Sequence, residues 1–454
     1  MKNLDPKEQF VIGLDLGTSV IKGVLMAADG HLCKEVSREN QFRQTQDGWI
    51  ELDPELHYRN VCGVIRELAA EAPSAIAGVA MAAASGNTLL TDGSGHPLRP
   101  IINWMDRRAE GVPLAALAGL TAESVAQVSG WPCVTSFPLA QLAWLKEHEP
   151  ETYRAAAHYG MDTDWLLYRL TGLWRMDTST ATTSHLLDQV HGCFYQPFLK
   201  RLEISEACLS PLMESGIALG PLTAQARQDT GLGCSTQVVS GSFDHPAAAR
   251  AAGVLRPGQL MLSCGTSWVG FVPHASREVI LKAKLLCDPF LSASDGPWAG
   301  MFSVPCIGRT IDWYVTHVIA PDERDKVRVF DELAARAEPG AGGLRIDLRE
   351  PPAVPLHATR QNVARAVMEG AARLLNGKLE EARTFGFTFE RAVMVGGPSR
   401  SPVWPGIVAE ITGLEVTSAD RSAGARGAAI LAGMGCGLFR GEETLPTGGH
   451  HERT

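Results

Sequence analysis

Residues Ile12–Met26 read IGLDLGTSVIKGVLM, two β-like runs on either side of a tight D-L-G-T-S turn. Branched apolar runs broken by a glycine-bearing turn pair as hairpins, and glycine lets the backbone close in on a bound group. Successive N–H groups in such a turn make a nest for an anion, with the Thr and Ser hydroxyls as further donors. Taken alone, G-T-S is as readily an ordinary hairpin turn. A second copy changes the weight: Leu260–Val269 reads LMLSCGTSWV, again strand, G-T-S turn and strand. Two such hairpins facing one another suggest two related half-molecules clamping the phosphates of a nucleotide.

Outward from the first hairpin, Phe10–Leu16, Val20–Met26 and His31–Val36 predict an antiparallel meander that turns at Ala28-Asp29-Gly30. Trp49–Glu71 predicts a helix, with Asp53 able to cap and Pro54 able to take the first helical position. Ile76–Ala80 predicts a further strand. Beyond Arg256-Pro257-Gly258 the same order restarts: strands around Leu260–Ser263 and Trp268–Val272, a helix over Gln361–Phe385, and the strand Arg391–Val395. The restart sets a boundary near Gly253–Gly258 and divides the chain into domains 9–253 and 254–440, each of alternating α/β pattern. Glu338–Pro355 reads as loop, and the tail after Gly441 as frayed.

With 454 residues, 45% hydrophobic and 20% charged, the chain can fill two or three soluble domains. Its net charge of -9 argues against a broad nucleic-acid surface. The ten cysteines are scattered, without C-x-x-C pairs or zinc-like spacing, so a disulfide framework is not expected. The start of the chain is short and charged, and no run approaches the ~18 apolar residues of a membrane helix. A cytoplasmic protein without membrane or nucleic-acid partners is expected.

Phosphoryl transfer needs a phosphate cradle, a divalent cation and a base aimed at the attacking hydroxyl. Asp15 stands at the mouth of the first turn, where a carboxylate would repel phosphates unless Mg²⁺ lay between them; the plainer role is to stabilise the turn. Lys22, on the return strand, points back toward a phosphate or else is a solvated strand-face lysine. Asp244, in VVSGSFDHPAAARAAGV, follows the apolar run Gln237–Ser240 and heads an Ala-rich helical stretch. It is either an N-cap or a general base beside a bound hydroxyl.

These segments resemble the FGGY family of carbohydrate kinases from Val11 to about Gly433. D-L-G-T-S-V-I-K resembles that family's first phosphate motif, and N-W-M-D-R-R-A at Asn103–Ala109 its sugar-site segment. W-L-L-Y-R-L-T-G and Asp177–Asp188 are similar to a further stretch of its first domain. G-S-F-D-H-P-A-A-A is similar to its catalytic-aspartate segment, S-C-G-T-S to its second phosphate motif, and V-G-G-P-S-R-S-P-V-W to its adenosine motif. The resemblance implies a duplicated ribonuclease H-like fold of the actin/hexokinase type, two domains over a central cleft, and an ATP- and Mg²⁺-dependent kinase for a small sugar, ketose or polyol. It implies Asp244 as base, and Asp15 with Asp244 at the metal. Gly17, Thr18, Ser19, Lys22, Gly265, Thr266 and Ser267 would meet phosphates, and Gly308, Gly396, Gly397 and Ser401 would border the nucleotide. Ser85, Asn87, Trp104, Asp106 and His245 would meet the acceptor, although His245 is equally a residue that caps the following helix. A homodimer is left open.

The chain departs from the family at Ala83-Ala84-Ser85, where a polar Gln-Met-His is usual, at Gln141 in place of Lys, at Pro398 within the usual glycine triplet, and over Ile346–Pro355. Xylulose or glycerol cannot therefore be read across as substrate. A catalytically silent sugar- or nucleotide-binding relic is the alternative, and an actin-like ATPase a more distant one.

Overall fold

The computed structural model describes residues 9–45, 48–70, 72–84, 86–113, 117, 119, 121–132, 134–305, 307–353, 357–419 and 422–441. The tail expected to fray, after Gly441, lies outside them. Two compact units result: residues 9–253, 288–294 and 424–441 form one, and residues 254–287 and 295–423 the other.

In the first unit β1 (Phe10–Leu16), β2 (Val20–Ala27) and β3 (Leu32–Glu39) form the expected antiparallel meander. Helix α1 (Pro54–Ala69) then leads to β4 (Ile76–Ala83), which pairs parallel with β1. Asp53 caps α1 by accepting from Leu56 N at 2.9 Å, and Pro54 opens it. The helix does not begin at Trp49, as the sequence suggested. Ile50–Leu52 is a strand in a small sheet with Phe42–Gln44 and Ile101–Ile102, and its backbone is committed there before Asp53 can start a helix.

Alternate residues of β1 face opposite layers, as the two-residue period of a strand requires. Phe10, Ile12 and Leu14 pack in one core with Val61, Ile65 and Leu68 of α1. Gly13 faces the other way, onto the last helix of the chain (Ala423–Gly435), and a Cβ there would run into the backbone of Ala425 and Ala429. That face is kept small, with Ala82, Ala247 and Ala428 in mutual contact, because helix and sheet meet backbone to backbone. Beyond β4 lie Gln237–Val239 and then Ser242–Phe243, both parallel to it. The second of these strands delivers the chain to α2 (Asp244–Ala251).

The second unit repeats this plan. β5 (Gly258–Cys264) and β6 (Trp268–His274) form the hairpin, and β7 (Trp298–Val304) extends it antiparallel. After the long helix α3 (Arg360–Arg383), β8 (Phe389–Gly396) returns parallel to β5, followed by the parallel strand Glu415–Ser418. The likeness extends to register: pairing slips by one residue between Phe10 and Val11 in the first sheet, and between Gly258 and Gln259 at the matching place in the second. One folding unit has been used twice, and Leu260 and Leu262 bury against Val367, Ala371 and Leu375 of α3 as Ile12 and Leu14 do against α1.

Candidate active site

Gly17-Thr18-Ser19 is the turn between β1 and β2, and Gly265-Thr266-Ser267 the turn between β5 and β6. Each has its own support. Asn40 donates its side-chain amide to Gly17 O at 3.2 Å and its backbone N–H to Ser19 O at 2.9 Å. In the second, Gly265 N reaches Ser267 O at 3.2 Å, and Gly308 N, in the first turn of a helix, reaches Thr266 O at 3.0 Å. A side chain on Gly308 would strike Gly265 and Thr266.

Asp15 lies directly across the first hairpin from Lys22. Burial, reinforced by the neighbouring Asp244 carboxylate and opposed by Lys22, pushes the Asp15 carboxyl up to about 7. The last helix crosses close by: a Cβ on Gly424 would meet the Asp15 carboxylate. Asp244 is the first residue of α2 and not its N-cap, which is Phe243. Its Oδ1 accepts from His245 N at 2.6 Å and its side chain is 28% exposed. The positive end of the helix dipole favours a carboxylate at this position. Close packing fixes α2, since a Cβ on Gly427 of the last helix would collide with the Ala247 backbone and one on Gly241 with Met81. His245 is half-buried, its ring edge-on to Phe243 at 5.4 Å.

Trp104 is half-buried, and its indole N–H donates to Thr18 Oγ1 at 2.9 Å. Its backbone N–H donates to Asn87 Oδ1 at 3.0 Å. Ser85 lies outside the described residues. Asp106, expected among the acceptor contacts, is fully buried. Both its oxygens bind the Arg108 guanidinium, at 2.9 and 2.8 Å, and it also accepts from Ile50 N at 2.6 Å. A carboxylate held in that fork is an anchor for the loop that carries Trp104. Gln141, in the place of the family lysine, is buried and ties the same loop down, donating to Asn103 O and Ser136 O while accepting from Thr88.

In the second unit a cavity of about 670 Å³ is lined by Gly265, Thr266, Trp268, Gly308, Gly397 and Ser401 among others, a size suited to a nucleoside-sized ligand. Gly397 opens onto empty space; Gly396 has φ +95 and no room for a Cβ against Cys264. Pro398 does no damage there. It begins the 3₁₀ turn Pro398–Arg400, where its fixed φ fits and no N–H is needed. Ser401 Oγ donates to Asp331 Oδ1 at 2.8 Å and accepts from Val403 N and Trp404 N, so its hydroxyl organises the cavity wall. Asp331, raised above the usual carboxylate range chiefly by burial, and the edge-on pair Trp268–Trp404 complete that wall. Trp268 and Trp404 lie within two of the quoted motif stretches, whereas Asp331 carries no local pattern that would single it out.

Among the described residues no helix is long and apolar enough to cross a membrane, and no group of three or more His, Cys, Asp or Glu is placed to hold a metal ion.

The duplicated sheets and paired turns define a ribonuclease H-like two-domain fold. Family profiles agree: the N-terminal domain of the FGGY family of carbohydrate kinases matches residues 10–250, and its C-terminal domain residues 332–436. The chain belongs to this family and is a carbohydrate kinase, a phosphotransferase with an alcohol acceptor. It is 27% identical to the xylulose kinase of Bacillus subtilis, over 96% of this chain and 90% of that one. It is 29% identical to the autoinducer-2 kinase of Klebsiella pneumoniae, over 95% and 86%. The solved xylulose kinase of Rhodospirillum rubrum superposes with a TM-score of 0.84 at 26% identity, covering 96% of this chain and 92% of that one.

Proposed function

We propose that the protein transfers the γ-phosphoryl group of ATP, with Mg²⁺, to a hydroxyl of a small sugar, ketose or polyol, and that Asp244 takes the hydroxyl proton. The observation that carries this reading is the Asp15–Asp244 pair. Asp15 is raised chiefly by burial and further by the Asp244 carboxylate, and in this reading a cation between them and the phosphates relieves that repulsion; Mg²⁺ is held by one or two carboxylates, with phosphate oxygens and waters completing its octahedron. That donor set fits, and the bound ion would neutralise phosphate charge. Asp244 stands half-buried at a helix start, in reach of a bound hydroxyl in this reading. In this reading residues 9–253 supply the acceptor site and first phosphate turn, with Trp104 as an apolar wall and Asn87 and His245 among the acceptor contacts. Residues 254–440 supply the nucleoside cavity, with Thr266, Gly308 and Gly397 at its edge.

The acceptor panel takes xylulose and autoinducer-2 from the relatives and adds other pentuloses, hexuloses, glycerol and longer polyols. ADP release in the presence of Mg²⁺ and each acceptor is the measurement. At least one acceptor gives turnover, and Asp244→Ala abolishes it; unchanged turnover in that variant rejects Asp244 as base. Binding of an acceptor without turnover under all conditions supports the catalytically silent relic instead.

A further inference from the structure

Around the first G-T-S turn the first unit builds a hydrogen-bonded circuit from residues far apart in the chain. One arm runs from Asp162, at the start of the helix Asp162–Thr171, to the turn. Asn87 Nδ2 donates to Asp162 Oδ2 at 2.7 Å, Asn87 Oδ1 accepts from Trp104 N, and the Trp104 indole donates to Thr18 Oγ1. The other arm reaches the same turn from its far side. Asn40 Nδ2 donates to Gly17 O, which leaves Asn40 Oδ1 as the acceptor for His57 Nδ1 at 3.1 Å. His57, from α1, then turns Nε2 toward Asp162 Oδ2 at 3.7 Å, and Nε2 has no hydrogen-bond partner. Asn40, His57, Asn87 and Asp162 are each at least 94% buried.

Donor accounting fixes the proton positions. Because the Asn40 amide is oriented by Gly17, His57 Nδ1 must carry a hydrogen, and a neutral ring then offers only a lone pair at Nε2. That lone pair faces a carboxylate, so the circuit closes only when one proton is shared between His57 and Asp162. Burial places it on the acid: the Asp162 carboxyl is pushed up to about 7, mainly by burial and partly by Asp164 beside it, and the His57 ring down to about 4. At the end of the first arm, the Thr18 hydroxyl oxygen is occupied by the indole N–H, so its own hydrogen is left to point elsewhere.

We propose that Asp162 is a positioning residue for phosphoryl transfer: through Asn87 and Trp104 it sets the Thr18 hydroxyl as a donor toward phosphate, and through His57 and Asn40 it steadies the other end of the same turn. This rests on the reading of Thr18 as a phosphate contact. The circuit also ties the acceptor-side indole to the phosphate turn, so the two are aligned together and not separately.

The test is calorimetric titration of the full chain with the non-hydrolysable analogue AMP-PNP and Mg²⁺. Asp162→Asn keeps an amide oxygen to accept from Asn87, so the arm through Trp104 to Thr18 survives although the same atom no longer donates to His57, and it binds within about twofold of wild type. Asp162→Leu and Trp104→Phe each weaken binding about tenfold, and the double variant is no weaker than either single one, because both break the same arm. Equal losses in Asp162→Asn and Asp162→Leu, an unchanged affinity in Asp162→Leu, or losses that add in the double variant overturn the proposal. Should Asp162→Leu melt below the assay temperature, Asn87→Ala takes its place in the cycle under the same criteria. A wild-type chain that fails to bind AMP-PNP rejects the phosphate reading itself, whereas binding with additive losses rejects only the circuit.

Discussion

Asp15 and Asp244 sit 229 positions apart in the chain, yet the charge of one raises the proton affinity of the other. Asp244→Asn removes that charge without emptying space. The expected outcome is a fall in kcat of about 10³-fold, within the range for loss of a general base, with a melting temperature within about 3 °C of wild type. In the same variant the Asp15 carboxyl titrates below 7, which a ¹³C carboxyl titration reads directly; an unmoved Asp15 shows that burial alone raises it. Both aspartates were legible beforehand because each is followed or preceded by small turn residues within a few positions. Asp106 was not: its segment reads as a sugar-site motif, but only the folded chain reveals that Arg108, two residues on, turns back to hold both its oxygens. The hydroxyl of Ser401, spent on Asp331 seventy residues away, was hidden for the same reason.

Among the elements, β1 carries the strictest demand. Its core face needs Ile12 and Leu14, and its opposite face needs the absence of a side chain at Gly13, where the last helix crosses. Gly13→Ala is expected to destabilise the protein by about 3 kcal/mol, the upper end for overpacking, because the obstructing atoms are backbone and cannot rotate away. Urea denaturation checks it, and a loss below about 1 kcal/mol means that the helix can back off from the sheet. The hairpins, α1 and the long helix α3 were readable from turn residues, capping residues and period. The start of α1 was misplaced by five residues because Ile50–Leu52 is apolar enough for either state, and its pairing partners are Phe42–Gln44 on one side and Ile101–Ile102 on the other. Competition of that kind is settled by which partner arrives, and no window of fifteen residues contains both.

For the molecule as a whole, four acids with raised proton affinity bear directly on the response to pH. Asp15, Asp162 and Asp177 are pushed up to about 7 and Asp288 to about 6, chiefly by burial, while His57 and His185 are pushed down to about 4. The acids hold their protons in the folded chain from about pH 4 up to about 6 for Asp288 and 7 for the others, where the unfolded chain has lost them, so their contribution is complete at low pH and falls as pH rises through those values. The histidines act oppositely, adding stability as pH rises from about 4 to 6.5, and then stop. Above pH 6.5 only the acids remain. The melting temperature is therefore expected to fall between pH 6.5 and 8 at constant ionic strength, and Asp162→Asn combined with Asp177→Asn to flatten that fall; a rise across the same interval contradicts the buried, protonated state. The amino-acid order alone settled the repeated hairpin, the two phosphate-type turns and the segment that carries Asp244, because each is specified by residues within one turn or strand of one another. The circuit through Asn40, His57, Asp162, Asn87 and Trp104, the Arg108 fork on Asp106, and every shifted proton affinity were decided by folding, since they depend on burial and on sheet register, which bring together side chains that no local pattern connects.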